Sequence, residues 1–349
     1  MITATIPVQM PTIETDSSTR QQNITSVARS GGFARAARVV IAAGLTALLL
    51  WHSDPKAVWQ AARDADWRFI VLACVLVAID RVLMAYRWWT LLAPLDAPGG
   101  AGQVGRRPPL GTVMRIFFVS TFVGTFLPAS VGGDAVRAYG LSKEGVQGVE
   151  AVASVLMDRL LGVVSILMVA IAGAILAREL IDIRALFPAL ALLTVLCAAA
   201  LAVVFSPRAA IGVARLLALL PRGRDTGTRL VTAIQRYATL HLPMINVLLC
   251  SIAVQVLRVL QTYCLGLALG LAVPLGVYFA LVPIILLIVL MPITINGIGT
   301  TQAGFMWLFG RAGVANAPAF ALSVLFLAIA VVGNLPGGLL YLFGGKRAS

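Results

Sequence analysis

The sequence predicts an all-α, polytopic membrane protein from its apolar content, its low charge and the length of its apolar runs. Of the 349 residues, 60% are hydrophobic and 12% are charged, about half of the roughly one quarter that is typical of soluble proteins. Mean hydropathy is +0.94. Soluble enzymes, nucleic-acid-binding proteins and disordered regulators are therefore excluded, and the net charge of +13 fits a membrane protein with basic loops.

The chain divides into a polar N-terminal segment and an apolar remainder. Residues 1–32 are rich in Thr, Ser and Gln and lack a hydrophobic face, which predicts a disordered cytoplasmic tail. Residues 33–349 are the predicted transmembrane domain, and within it residues 55–67 predict an amphipathic helix at the membrane interface. Because a span needs about 20 apolar residues, we expect about eight transmembrane helices. The apolar runs that carry them cover 36–51, 69–91, 114–127, 151–176, 186–206, 243–270, 275–291 and 318–343.

Basic residues predict which ends of the spans face the cytoplasm. They precede the first span, follow the second span from Arg87 onward, and are densest over 207–240. These regions are therefore expected on the cytoplasmic side of the inner (plasma) membrane, together with the N-terminus. All of them can share one side only if the run 114–127 enters the membrane and returns as a re-entrant segment.

A Pro/Gly motif occurs twice, 164 residues apart, as Leu127–Gly133 and Met291–Gly297. Each copy ends an apolar run with residues that interrupt helices. Non-helical backbone at membrane depth needs protein or a wet cavity around it, and paired interruptions of this kind indicate a transporter binding site. We therefore expect an internal repeat with two re-entrant segments; the alternative is two ordinary loops of similar composition. The residues that define the two segments are Pro128, Gly132, Gly133, Pro292, Asn296, Gly297, Gly299 and Gln302.

Charged residues inside the apolar runs are the candidate site residues, because each costs roughly 2.5–3.5 kcal/mol at mid-span and therefore tends to face the bundle interior. Asp134 and Arg137 are three residues apart and could pair locally. The neighbours in each Asp-Arg dipeptide lie about 100° apart on a helix, so we expect their partners on other segments. The candidates are Asp80, Arg81, Asp134, Arg137, Asp158, Arg159 and Arg258, with Arg115 as a further possibility.

Arginine suits a phosphate ligand because its planar guanidinium donates two parallel hydrogen bonds. Helices that start after Gly133 and Gly299 would add backbone N–H groups with a positive end. Together these features predict a site for a phosphate-bearing headgroup. The alternative is that the charged residues only neutralise one another and hold the bundle together.

The sequence contains no pattern that indicates a metal site, a disulfide or redox chemistry. The two histidines are far apart, and the four cysteines lie in apolar runs without CxxC spacing, which favours a packing role. We therefore assign no catalytic residue, no metal ligand and no cofactor. The cysteines are Cys74, Cys197, Cys250 and Cys264.

The stretch 127–139, LPASVGGDAVRAY, resembles the signature of a flippase-like family that contains the transmembrane region of lysylphosphatidylglycerol synthases. Residues 153–162 resemble the next helix of that family, 292–299 its second Gly motif and 335–339 its last span. The resemblance covers roughly 35–345 and implies about eight helices with two re-entrant hairpins. It also implies a role in moving lipids or lipid-linked intermediates between leaflets, while other relatives are associated with hopanoid or glycan pathways.

Two departures from the family pattern stand out. The family usually has an acidic residue shortly after the second Gly motif, where this chain has Gln302, so a proton-coupled step at that position is in doubt. The soluble aminoacyl-transfer domain of the full synthases is also absent from this sequence.

The favoured function is translocation of a lipid with an anionic headgroup, with membrane lipids as partners and no nucleic acid. Two alternatives are an integral membrane transferase that acts on a lipid carrier and an accessory subunit of an envelope pathway. The sequence has no Walker A, dinucleotide or zinc-hydrolase motif, and Asp134 and Asp158 are the only plausible catalytic acids. These observations favour a function other than catalysis and leave the question of an enzymatic activity open.

Overall fold

The computed structural model describes Lys56 and residues 63–96, 107–126, 131–178, 187–217, 224–290 and 299–343. Between Trp67 and Phe343 the described residues form eleven α-helices and contain no β-strand, which confirms the all-α class. The helices are α1 (Trp67–Thr90), α2 (Leu110–Phe126), α3 (Val131–Lys143), α4 (Gly148–Leu176), α5 (Phe187–Phe205), α6 (Pro207–Leu217), α7 (Arg224–Gln235), α8 (His241–Ala268), α9 (Leu275–Leu290), α10 (Thr300–Arg311) and α11 (Asn316–Phe343).

Several predicted features lie outside the described residues. They are the N-terminal tail, the first span at 36–51, most of the amphipathic helix at 55–67, and four motif residues, Pro128, Pro292, Asn296 and Gly297.

Seven of the predicted apolar runs coincide with helices of the structure. Four of these helices, α1, α4, α8 and α11, are long and apolar enough to cross a membrane, and α5 with α6 would make a fifth span with a 100° bend. The helices α2 and α9 are apolar but shorter. The chain is a polytopic membrane protein, and the number eight stays a prediction.

The first re-entrant segment is a helical hairpin of α2 and α3. A Cβ atom on Gly133 would lie 3.1 Å from the carbonyl oxygen of Ser120, and one on Gly140 would lie 2.7 Å from Cγ2 of Ile116. Later residues of α3 thus contact earlier residues of α2, so the two helices run antiparallel. Glycine at these positions lets the two backbones approach closely.

The chain enters and leaves this hairpin at the same end of the bundle. Trp89, at the end of α1, donates a hydrogen bond from Nε1 to the carbonyl oxygen of Pro108, just before α2. Glu150, at the start of α4, pairs with Arg236 at 2.8 Å, just before α8 begins. The end of α1 and the starts of α2, α4 and α8 therefore lie at one end, which we call the basic face because α6 and α7, with their arginines, precede α8.

The second hairpin, α9 and α10, enters from the opposite face. It follows the end of α8 directly, and the ring centroids of Tyr278, early in α9, and Phe309, late in α10, are 5.1 Å apart. A Cβ atom on Gly304 would lie 3.8 Å from the side chain of Ile285. These contacts give a second antiparallel helical hairpin, and its re-entrant course in the membrane, like that of the first hairpin, stays a prediction.

The helices α1–α4 and α8–α11 form an internal repeat in which a long helix, a hairpin and a second long helix follow in order. The packing is reciprocal, because α4 packs on α9 and α11 packs on α2. Gly173 on α4 meets the carbonyl of Phe279, and Gly337 on α11 meets the carbonyl of Phe118. These two glycines are 164 residues apart, the same separation as the two Pro/Gly motifs.

The repeat is inverted. The backbone N–H of Asp66, before α1, donates to the carbonyl oxygen of Ala268 at the end of α8 at 2.9 Å. Arg87, near the end of α1, donates to Ser251 in the first half of α8. Because α1 and α8 hold the same place in the two halves and run antiparallel, the halves enter the membrane with opposite orientation, as in many secondary transporters.

Two apolar cores fill the bundle and leave a polar layer between them. One core surrounds the aromatic side chains of Tyr278, Phe305 and Phe309 near the second hairpin. The other surrounds Trp88 and Phe117 near the basic face. Beyond Arg68 in its first turn, the charged residues of α1 begin at Asp80, after Val77 of the first core, and end at Arg87, beside Trp88 of the second.

Candidate functional site

A cavity of about 320 Å³ occupies the polar layer. Side chains from both repeats line it, because it lies where α1, the first hairpin, α4, α8 and α11 meet. Leu290, the last residue of α9, also lines it, as do Gly124 and Gly133 beside the turn of the first hairpin. The charged side chains in its wall are Arg87, Asp134, Arg137, Asp158, Arg159 and Arg258.

The first charged cluster joins α1 to α8 and consists of one carboxylate and two guanidinium groups. Asp80 is 2% exposed and accepts a hydrogen bond at Oδ2 from Arg81 Nη1 at 3.0 Å. Its other oxygen, Oδ1, lies 3.3 Å from Nε of Arg258. Arg258 also donates from Nη2 to the sulfur of Met84 at 3.1 Å. We call Asp80, Arg81 and Arg258 the first triad.

The second charged cluster joins α1, α3 and α4 through Asp158, which is 3% exposed. Its Oδ1 accepts a hydrogen bond from Arg87 Nη2 at 2.5 Å, and its Oδ2 accepts one from Arg137 Nη1 at 2.9 Å. Arg87 donates further to Ser251 at 3.0 Å. The guanidinium carbon of Arg137 lies 4.4 Å from the ring centroid of Phe117, a cation–π contact. We call Asp158, Arg87 and Arg137 the second triad.

Asp134 and Arg159 form a separate ion pair with two parallel hydrogen bonds. Arg159 donates from Nε and Nη2 to the two oxygens of Asp134, each at 2.8 Å. The Arg159 side chain is 41% exposed, so solvent screens this pair more strongly than either triad.

The charges of this site do not cancel. Each triad contains two arginines and one aspartate, while the pair is neutral. Among the described residues, the lining of the cavity itself has four arginines against two aspartates. A cavity with this surplus of positive charge in a low-dielectric layer attracts an anion and disfavours a cation.

Two of the predicted pairings are wrong. Asp134 and Arg137 do not pair with each other; the first pairs with Arg159 and the second with Asp158. Asp80 and Arg81 do pair with each other, because the long arginine side chain can fold back to the carboxylate of its neighbour. The expectation that partners come from other segments is correct for Asp158 and Arg159, and also for Asp80, which contacts Arg258 of α8.

The remaining candidates lie as follows. Arg81 belongs to the first triad without lining the cavity, and Arg115 is exposed on α2 instead of facing the interior. The helix α3 begins at Val131 and not after Gly133. Gly132 and Gly133 are thus in its first turn, where backbone N–H groups lack partners within the helix.

The start of α10 agrees with the prediction. The helix begins at Thr300, directly after Gly299, whose φ of +87° favours glycine. Gln302 is buried, and its Oε1 accepts the backbone N–H of Gly299 at 2.6 Å. At this position the neutral amide therefore caps the helix.

Among the polar residues of the cavity wall that sequence reasoning missed, Arg87, Gln255 and Asn334 bear most on the site. Arg87, interpreted as part of the basic stretch after a span, is 3% exposed and central to the second triad. Gln255 and Asn334 line the cavity, and the carbonyl oxygen of each has no hydrogen-bond partner among the described residues.

Two of these residues could have been predicted from their helical spacing relative to the charged residues of the same helix. Arg87 follows Asp80 by seven residues, two helical turns on one face, and Gln255 precedes Arg258 by three. For Asn334 we find no such signal.

Comparison with known proteins identifies the family of this chain. Residues 35–337 match the family described as the lysylphosphatidylglycerol synthase TM region. Similar proteins include a UPF0104 membrane protein of Archaeoglobus fulgidus, 24% identical over 123 residues, which are 35% of this chain and 35% of that protein. A UPF0104 membrane protein of Pyrococcus horikoshii is 27% identical over 131 residues, 37% of this chain and 36% of that protein. The matches thus span about a third of each of these relatives.

Proposed function

We propose that this chain, which belongs to the family of the lysylphosphatidylglycerol synthase TM region and has a cationic cavity lined by both repeats, moves a lipid with an anionic headgroup between the leaflets. The observation that carries this proposal is the surplus of arginine over aspartate in a cavity lined by both inverted repeats. The proposed partners are therefore membrane lipids or a lipid-linked intermediate.

The mechanism follows from the cost of moving a charged headgroup through hydrocarbon. That cost is many kcal/mol without a polar path, while the acyl chains can stay in the bilayer throughout. The cavity supplies guanidinium N–H groups near mid-depth, which replace water around a phosphate group. The headgroup thus crosses beside protein, and the inverted repeat provides two related half-paths.

Not every arginine in the wall is equally suited to bind the headgroup. Arg159 directs two donors to Asp134, and Arg87 directs donors to Asp158 and Ser251. Arg137 donates a single hydrogen bond, to Asp158, and Arg258 contacts Asp80 and Met84. We assign headgroup binding to Arg137 and Arg258, and a supporting role to the other two.

A transferase function is less well supported by this site. Asp134 and Asp158 each accept hydrogen bonds from arginine at both oxygens, an arrangement suited to counterions. We place the protein in the inner (plasma) membrane with the basic face toward the cytoplasm, following the basic residues of α6 and α7.

The test is lipid translocation by the full chain in liposomes, with fluorescent lipids whose outer-leaflet fraction is quenched from outside. We expect the parent protein to move anionic lipids, and Arg137→Gln and Arg258→Gln to lose most of that activity. Both variants should fold, because Asp158 keeps Arg87 and Asp80 keeps Arg81 as partners.

Arg115→Gln is the matched control, since it removes an exposed arginine that does not line the cavity. Equal translocation by all four proteins would exclude the cavity as the path. No translocation of any anionic lipid by the folded parent protein would contradict the proposed function.

A further inference from the structure

We propose that the cavity binds a headgroup with two negative charges on a terminal phosphate, a phosphomonoester, in preference to a singly charged phosphodiester. This inference rests on the proposed function and specifies its substrate class. It follows from the charge of the two triads and from the hydrogen-bond donors that they leave for a ligand.

The charge of the site requires two compensating negative charges. Each triad carries one positive charge beyond neutrality, and the Asp134–Arg159 pair adds none. The segments 127–130 and 291–298, which lie outside the described residues, contain no ionisable residue in their sequence.

Unbalanced charge is expensive away from water, so a ligand that neutralises the layer binds most favourably. A phosphodiester headgroup brings one negative charge and leaves one triad uncompensated. A phosphomonoester in its dianionic form brings two. A neutral hopanoid headgroup or a zwitterionic headgroup leaves both positive charges unbalanced.

The hydrogen-bond donors of the two triads also favour a phosphomonoester. Arg137 donates from Nη1 to Asp158, and Arg258 donates from Nη2 to Met84 while its Nε lies 3.3 Å from Asp80 as an ion pair. Among the described residues the other N–H groups of these two guanidinium groups have no protein acceptor. Two arginines that each bind in bidentate fashion use three terminal oxygens if they share one. A phosphomonoester has three terminal oxygens, whereas a phosphodiester has two.

Phosphatidic acid and polyprenyl monophosphates share this headgroup and differ in their tails. The cavity binds the phosphate, so the headgroup chemistry is the same for both. The two sources are separated by comparing short-chain forms of each lipid in one experiment.

The experiment measures binding to the purified full chain in detergent, by the shift in its thermal unfolding. The ligands are dioctanoyl phosphatidic acid, farnesyl phosphate and dioctanoyl phosphatidylglycerol. At pH 7.5 we expect the better of the two phosphomonoesters to bind about tenfold or more tightly than phosphatidylglycerol, since one further charge-assisted hydrogen bond contributes that factor. The phosphomonoester that binds more tightly shows whether the site prefers a diacylglycerol tail or an isoprenoid tail.

The pH dependence provides a second test. The second ionisation of a phosphomonoester has a pKa of about 6, so at pH 5 it carries one charge, like the diester, while arginine stays charged. The preference should therefore shrink between pH 7.5 and pH 5. A preference that stays constant over this range would contradict a role for the second charge.

The variants test whether the triads cause the preference. Arg137→Gln and Arg258→Gln each convert a triad to a neutral pair, and we expect both to bring the binding ratio close to one. Arg115→Gln, the control, should retain the ratio of the parent protein. Equal or tighter binding of phosphatidylglycerol by the parent would overturn the inference.

The outcomes separate this inference from the proposed function. If lipids cross the bilayer but phosphatidylglycerol binds as well as the monoesters, the headgroup inference fails and lipid translocation stands. If a monoester is preferred but no lipid crosses the bilayer, translocation fails and the ligand class stands.

Discussion

The two halves of the inverted repeat have the same architecture and very different charge. In the first half, α1, α3 and α4 place three aspartates and four arginines in the polar layer. In the second half, Arg258 is the one charged residue of the three clusters. The other polar residues of this half that line the cavity are neutral, namely Gln255 and Asn334.

This difference indicates that the scaffold and the site follow separate requirements. Both halves need close helix contacts, and both supply glycine at the same place, Gly173 and Gly337. A ligand site needs charge on one side only, because a second set of buried charges would add desolvation cost without a partner. The fold is thus symmetric and the site is not.

The largest expected effect comes from removing the central carboxylate of the first half. Asp158→Asn leaves Arg87 and Arg137 buried without their counterion, and breaking a buried pair in this way costs about 3–5 kcal/mol. We expect a large fall in the free energy of unfolding of the purified protein, measured in detergent.

The matched control lies in the other half. Ser323 is buried on α11, the helix that corresponds to α4, and its hydroxyl donates within the helix to Phe320. Ser323→Ala should cost at most about 1 kcal/mol. Adding Arg137→Gln to Asp158→Asn should recover part of the loss, and failure to do so would argue against charge as the cause.

An intermediate effect should be equal in the two halves. Gly173→Ala and Gly337→Ala each place a Cβ atom against a backbone carbonyl of the other half's hairpin, Phe279 and Phe118. Because backbone cannot move aside easily, we expect a loss of about 1–3 kcal/mol for each variant. Thermal unfolding of the two variants measures whether the repeats are equally packed.

Gly212→Ala serves as the control for these variants, since no atom lies within 4 Å of a Cβ at that position of α6. It should be neutral or slightly stabilising because alanine favours the helix. A tolerated Gly337→Ala beside a damaging Gly173→Ala would show that the packing is less symmetric than the helix order.

The smallest effect concerns the start of the second hairpin's return helix. Gln302→Ala removes the acceptor of the Gly299 N–H, so we expect a loss of about 1 kcal/mol in the free energy of unfolding. Gln302→Met keeps most of the volume and lacks the acceptor. If Met restores full stability, packing and not the hydrogen bond explains the role of Gln302.

The sequence alone determined the class, the helices and the repeat. Apolar runs of sufficient length can only form helices in a bilayer, so the positions of α1, α4, α8 and α11 followed directly. The paired Pro/Gly motifs indicated two interruptions, since these residues do not continue a helix. Buried charge is costly, so the charged residues of the apolar runs were recognisable as site candidates.

The tertiary structure decided which of these residues meet. Pairing depends on how α1, α3, α4 and α8 pack, and one sequence offers several equally spaced partners. In the packed bundle Asp158 pairs with Arg87 and Arg137, and Asp134 pairs with Arg159. It also placed Arg87 inside the bundle, because the antiparallel contact of α1 with α8 buries the last turns of α1. The surplus of positive charge, on which the proposed function rests, is a property of this packing.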